Sequence, residues 1–308
     1  MARIALLGAT GQIGRSILLA LLTTTSHEVV QLVQPASEKA KAVNTTAEQR
    51  KRLHTMPVDL LTASVDELAF ILTGVSVVIS ALNGRVLQAQ SKIQNAAAQA
   101  GVRRFYPSEY GKHHIYFGED GYGYLHPIWS MKAQANEQVM HHPAIVSGEM
   151  TFTLIGCGEF YNQDREIHIL GRSDAKIDFT HIDDLAAFLV QTIEHPEVSE
   201  NRELNFVSDQ ISYDEIATLL ERYTGKEVEK DVMPVEVLHR AWKDSTAIPD
   251  EVAGGSAFPA DFWILVKGMQ GLGRFWRPPE QVHNHLFPDV KVTTFERYFQ
   301  RRFGQDEN

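Results

Sequence analysis

Three glycines stand at a regular spacing near the start of the chain: Gly8, Gly11 and Gly14, in the run GATGQIG, directly after the apolar stretch RIALL. This spacing suits an anion. The first glycine permits a tight turn out of a strand, the second lets the main chain approach a pyrophosphate, and the third lets helix and strand pack closely. A helix opening at that point offers free N–H groups and the positive end of its dipole. Gly8, Thr10, Gly11, Gln12, Ile13 and Gly14 are therefore the first candidate cofactor contacts, and the ligand that fits them is a dinucleotide.

Further candidates follow at the ends of later apolar runs. The second run closes as QLVQPAS, with Gln34 where a site for NAD would place a carboxylate to hold the ribose 2′-hydroxyl. The first acid is Glu38, and Lys39 and Lys41 follow it. Nothing there repels a 2′-phosphate and a lysine is at hand to pair with it, so NADP is favoured over NAD, with Gln34 and Lys39 as contacts. Asp59, at the end of MPVDL, is a candidate on the adenine side or a cap for the next element. Asn83, after VSVVISAL, borders the nicotinamide ribose. Ser108 and Glu109 lie where a parallel strand delivers its carboxyl end to a ligand cleft. Tyr110, His113 and His114 are candidates for proton donation or substrate contact, each with a structural role as the alternative.

The elements that must position these residues alternate. Short apolar strands (residues 3–7, 27–33, 75–82 and 102–108) are separated by helical stretches, two of them stopped by Gly74 and Gly101. Such alternation implies right-handed βαβ crossovers and a parallel sheet covered on both faces. The expected fold is α/β, a Rossmann-type doubly wound parallel sheet with a smaller C-terminal α+β substrate domain. The boundaries are 1–155 for the dinucleotide-binding domain and 156–308 for a substrate region intertwined with it. Alternation fails between residues 111 and 127, a loop rich in Tyr, Phe and Gly that could touch a ligand. A helix resumes at Ser130, a strand is expected over 151–160, and Ser212 with Glu215 forms a capping box for a helix ending before Gly225.

Composition narrows the function. The chain has 308 residues and a net charge of -10, which argues against a nucleic-acid partner, since that needs a basic face. No apolar run reaches the roughly 18 residues of a membrane span, and the first residues do not read as a signal peptide, so a cytoplasmic location is expected. The single cysteine, Cys157, excludes an intrachain disulfide, fits a reducing compartment and reads as a buried small hydrophobe. His113–His114 and His141–His142 are adjacent pairs without the spacing of a ligand set, so no metal is expected.

GATGQIG, GVSVVISAL, AAAQAGVRRFYPSEYG, Lys132 and FTHIDDLAAFL occur in the order seen in the NmrA-like and isoflavone-reductase-like group of atypical short-chain dehydrogenases, which the chain resembles over nearly its whole length. RFYPSEYG is the most specific element, and LFPDVKVTTFERYF looks like the family's closing segment. The resemblance implies an NADPH-dependent reductase of a small aromatic or polyketide-like secondary metabolite, working as a monomer or homodimer. Ordinary short-chain dehydrogenases use Tyr-x-x-x-Lys, and here Ile128 stands four residues before Lys132. The isoflavone-reductase branch dispenses with that tyrosine and retains the lysine. The resemblance thus makes Lys132 the proton-handling and ribose-side candidate, with Tyr110 and Ser108 beside it. A lysine buried beside a cationic nicotinamide loses part of its preference for the charged form, which suits it to proton transfer. Two other readings stay open: a non-catalytic dinucleotide-binding redox sensor like the NmrA regulators, and a redox-neutral isomerase or cyclase on the same fold.

Overall fold

A computed structural model of the protein describes residues 1–35, 44–111, 127–161, 169–244, 246, 248 and 259–304, and the backbone alone at 127, 128, 242 and 243. The chain divides into two compact units. The first comprises Met1–His113, Trp129–Gly156 and Leu185–Leu204; the second comprises His114–Ile128, Cys157–Asp184 and Asn205–Asn308.

The elements run β1 (Arg3–Leu7), α1 (Gln12–Thr24), β2 (Glu28–Val33), α2 (Ala47–Arg52), β3 (Leu53–Pro57), α3 (Val65–Ile71), β4 (Val77–Ser80), α4 (Gln90–Gln99), β5 (Arg104–Tyr106), α5 (Pro127–Met140), α6 (Pro143–Val146) and β6 (Thr151–Cys157). They continue with β7 (Glu159–Phe160), β8 (Ile169–Leu170), β9 (Ile177–Thr180), α7 (Ile182–Glu194), β10 (Arg202–Phe206), β11 (Asp209–Ile211), α8 (Tyr213–Thr224), β12 (Val232–Met233), α9 (Glu236–Lys243), α10 (Ala260–Gly271) and α11 (Phe295–Phe303).

A seven-stranded sheet has the order β10-β6-β5-β4-β1-β2-β3. Its pairings β1–β2, β2–β3, β1–β4, β4–β5 and β5–β6 are parallel. Ile4, Ala5, Leu6 and Leu7 are all inaccessible to solvent. Successive side chains on a strand point to opposite faces, so both faces of β1 are covered, and the apolar run RIALL is the sequence mark of that burial. The chain turns outward from β1 to β2 and β3, then returns to the other side of β1 as β4. That reversal is the switch point at whose carboxyl end such sheets bind ligands. This is the doubly wound α/β sheet of Rossmann type that the alternation of elements implies.

Several boundaries differ from the sequence expectation for local reasons. β3 begins at Leu53, ahead of MPVDL, and its burial pattern is almost wholly exposed, so as an edge strand it lacks the apolar run that marks its neighbours. α5 starts at Pro127 rather than Ser130, proline being well suited to a first helical turn. The stretch before α4 is a separate 3-10 turn, Gly84–Ala89, capped by Asn83.

In the second unit β11 lies antiparallel to β9, which pairs in parallel with β7; β8 and β12 form a separate parallel pair. Two buried ion pairs stand inside it. Arg277 donates to Asp178 at 2.8 Å and to the Cys157 carbonyl at 3.2 Å. Lys267 donates to Glu159 at 2.6 Å and to the Tyr213 hydroxyl at 3.1 Å. Burial opposes the Lys267 charge as the largest single effect, but Glu159 and the Tyr213 hydroxyl together outweigh it and strengthen the ammonium's hold on its proton.

Candidate active site

The glycine loop has the geometry its sequence demands. Gly8 adopts φ +81°, and a Cβ there would stand 2.3 Å from the Ala81 carbonyl oxygen, so only glycine lets β1 turn this close to the end of β4. A Cβ on Gly14 would lie 2.2 Å from the Gly8 carbonyl oxygen, the close helix–strand packing expected of the third glycine. Gly11 differs. Its φ of -75° suits any residue, and a Cβ there would meet only the Gly8 carbonyl oxygen, at 3.3 Å. What Gly11 keeps open is the space outside the loop, not space within the protein. It is also the N-cap of α1, with no side-chain cap and no acid in the first turn, so the first N–H groups of this helix are available to an anion. A cradle that a side chain would fill, at an uncapped helix start, fits a pyrophosphate.

At the outer strands, Asp59 takes the Leu61 backbone N–H at 2.9 Å. That bond chiefly, with further ones from Gln34 and Thr62, holds its carboxyl below the usual carboxylate range against a smaller opposing desolvation. Gln34 and Asp59 thus lie close together at the carboxyl ends of β2 and β3, where sequence reading treated them as two separate contacts. Lys39 and Lys41 lie outside the described residues, as do His113, His114 and the aromatic loop that follows them.

At the inner strands a chain of contacts links the loop to the candidate reactive groups. Gly8 abuts Ala81 at the end of β4. Two residues on, exposed Asn83 accepts from the Gly84 N–H at 2.8 Å. The buried Ser108 hydroxyl donates to the Leu82 carbonyl at 2.5 Å, and its N–H donates to the Gln90 side chain at 2.7 Å, tying the end of β5 to the end of β4. Glu109 is fully buried. Its main-chain carbonyl accepts from Lys132 Nζ at 2.7 Å, and its carboxylate accepts from Asn136 Nδ2 at 2.6 Å. Tyr110 is buried with φ +42°, its N–H donating to the Ile155 carbonyl at 3.1 Å. A tyrosine in the left-handed region persists only where its surroundings fix it, and such positions cluster at functional sites.

The structure therefore brings Ser108, Glu109, Tyr110 and Lys132 together at the carboxyl end of β5. Asn136 and Gln90 are buried neighbours of this cluster that sequence reading missed. The signal for Asn136 was its place four residues after Lys132, on the same helix face; nothing local pointed to Gln90. Among the described residues no group of three or more His, Cys, Asp or Glu could hold a metal ion. His142 instead caps α6, and His141 lies exposed beside Glu137.

A parallel sheet with a switch point, a glycine turn into an uncapped helix and a lysine held at the neighbouring strand end define an α/β protein of Rossmann type with a cleft suited to a dinucleotide. The chain belongs to the NmrA-like family, whose model matches residues 1–255. It is 28% identical to an isoflavone reductase homolog of Zea mays, over 97% of each chain. It is 25% identical to a phenylcoumaran benzylic ether reductase of Pinus taeda, over 96% of this chain and 97% of that one. Among solved structures, a set described as pinoresinol-lariciresinol and phenylcoumaran benzylic ether reductases matches with a TM-score of 0.75 at 19% identity, over 98% of this chain and 99% of that one. A leucoanthocyanidin reductase–NADPH complex from Vitis vinifera matches at 0.73 and 18%, over 98% and 100%. These structural likenesses establish the fold over essentially the whole chain.

Proposed function

We propose that this protein is an NADPH-dependent reductase of a small aromatic or polyketide-like molecule. The observation that carries the reading is the unbroken path of contacts from the glycine loop through Ala81, Leu82 and Ser108 to the Lys132 ammonium, all within one unit. Relatives named as isoflavone reductase homologs and benzylic ether reductases support the chemistry. The Gly8–Gly14 loop and the start of α1 hold the pyrophosphate; Gln34, Asp59 and Lys39 line the adenosine side; Asn83 and Lys132 flank the nicotinamide ribose. When bound, NADPH supplies a hydride from its nicotinamide ring. Lys132 delivers or relays the proton at its Nζ, Ser108 fixes the spacing of the two strand ends, and Tyr110 presents its ring from a constrained backbone. The protein acts in a reducing compartment, the cytoplasm, as a monomer or homodimer, with Cys157 fully buried.

The test has two stages. Titration with NADPH, read by nucleotide fluorescence, establishes binding. NADPH oxidation is then followed with isoflavones, pinoresinol-type lignans and simple enones as probes. Binding with turnover of one probe class supports the reading. Binding without turnover across the panel moves the protein to the sensor or redox-neutral class, and absence of binding overturns the assignment.

A further inference from the structure

We propose that Asn136 is a positioning residue that fixes Lys132 by gripping Glu109, a role that rests on the reading of Lys132 as the proton-handling group. Lys132 Nζ is held by a main-chain carbonyl, that of Glu109, at 2.7 Å. A carbonyl can aim an ammonium only if its own peptide is immobile. Three sets of contacts immobilise this one. Before it, the Ser108 N–H and hydroxyl are bound to Gln90 and Leu82. After it, the Tyr110 N–H is bound to Ile155 in β6, with the tyrosine backbone at φ +42°. From the side, Asn136 Nδ2 donates to Glu109 Oε2 at 2.6 Å.

The third contact is the informative one, because Asn136 sits one helical turn beyond Lys132. A single face of α5 thus holds Glu109 at two points, its carbonyl through Lys132 and its carboxylate through Asn136, and neither can shift without the other. Both Glu109 and Asn136 are buried, at 0% and 6% exposure, and a buried carboxylate requires such donors to remain in place. Gly111 closes the arrangement: a Cβ there would stand 3.0 Å from Glu109 Oε1 and 4.0 Å from Lys132 Nζ. Any side chain after Tyr110 would therefore crowd the Glu109 carboxylate beside the Lys132 ammonium.

The experiment uses the full chain without cofactor. Lysines are acylated under trace conditions with an N-hydroxysuccinimide ester, and Lys132 is compared by peptide mass spectrometry with Lys92. Lys92 is an internal reference in the same unit, donating to the carbonyls of Leu61 and Ala63. Asn136→Ala raises the Lys132:Lys92 ratio about five-fold, the scale expected for loss of one hydrogen-bond hold. Glu109→Ala does the same, and the double variant goes no further than Glu109→Ala alone, because Asn136 acts through Glu109. Glu109→Gln stays near wild type, since its amide oxygen still accepts from Asn136. Should Asn136→Ala fail to fold, Asn136→Ser loses the same reach and gives the same rise. An unchanged ratio in the asparagine variants overturns the proposal. So does a rise in Glu109→Gln equal to that in Glu109→Ala, which would make charge rather than grip the cause. A rise shared by Lys92 overturns it too, as general loosening. Labelling needs neither cofactor nor substrate, so failure to bind or oxidise NADPH would strike the reductase reading while leaving this result standing.

Discussion

The duties proposed for Lys132 and the three glycines are distinct, and single substitutions should separate them. Lys132→Ala is expected to bind NADPH still, more weakly if the ammonium also holds the ribose, and to turn over at least ~100-fold more slowly, since removing a positioned acid or base costs ~10²–10⁴ in rate. Wild-type turnover in that variant would pass the proton to Tyr110 or to a histidine of the 113–114 pair. Gly11→Val should abolish NADPH binding with a loss of stability near ~1 kcal/mol or less. Its Cβ meets only one carbonyl oxygen, at 3.3 Å, on a backbone that any residue adopts. Gly8→Val, by contrast, should lose the fold, because φ +81° and a carbonyl at 2.3 Å leave no place for a side chain. Circular dichroism and fluorescence titration of the two variants distinguish these outcomes; an unfolded Gly11→Val would mean that the loop's glycine spacing serves packing alone. The turn at Gly8 and the close packing at Gly14 were legible in sequence because each follows from a strand end, a helix start and a spacing. The duties around Lys132 were only partly so. Ser108 and Glu109 could be placed at a strand end, but which of their atoms meet Lys132, Asn136 and Gln90 depends on side-chain directions that no periodicity encodes.

Elements were readable where local chemistry and burial agree. The capping box at Ser212 and Glu215 is present, with Gly225 closing the helix at φ +67°. The same signature at Ser64 and Glu67 opens α3, and at Thr46 and Gln49 it opens α2. Ser212→Ala should destabilise the protein by about 1 kcal/mol in urea unfolding; no change would mean that tertiary packing alone holds α8. Edge strand β3 was placed only roughly, at MPVDL rather than from Leu53, and the short strands β8 to β12 were not readable, since two to five residues are too few to show a period. His142 offers a pH test at the element level. Its Nδ1 accepts the Ala144 N–H at 3.2 Å and its Nε2 meets Asn95 Oδ1 at 3.0 Å, an arrangement that uses the neutral ring. Burial holds the imidazole below its ordinary 6.5, so the unfolded chain takes up the proton more readily than the folded one. The contribution is therefore complete above 6.5 and is lost as pH falls through that region. His142→Asn keeps an N-cap that does not titrate. Between pH 7.5 and 5.5 the wild type should lose a few tenths of a kcal/mol more than this variant, a small difference because solvent screens the half-buried ring. Equal losses would remove His142 from the pH dependence.

For the molecule as a whole, charge and cofactor pull in opposite directions. The chain carries a net charge of -10, and no helix among the described residues is long and apolar enough to cross a membrane. A dinucleotide with an added 2′-phosphate is more strongly repelled by such a field than one without it, though over distances beyond the ~10 Å Debye length at 0.1 M salt this repulsion is largely screened. Preference for the phosphorylated form must then come from contacts at the end of β2. There Gln34 stands where a carboxylate would bar the phosphate. Lys39 follows in the sequence as the cation to pair with it. A charge-assisted hydrogen bond contributes roughly 1.5–3 kcal/mol, so NADPH is expected to bind about 10- to 100-fold more tightly than NADH. Because a ligand that binds only the folded state raises stability with its concentration over Kd, NADPH should also raise the melting temperature more than an equal concentration of NADH. Lys39→Ala should reduce both differences while leaving NADH affinity unchanged. Equal affinities in the wild type would remove the 2′-phosphate contact. Tighter binding of NADH would mean that the Asp59 carboxylate reaches the ribose hydroxyl, and the cofactor assignment would pass to NAD.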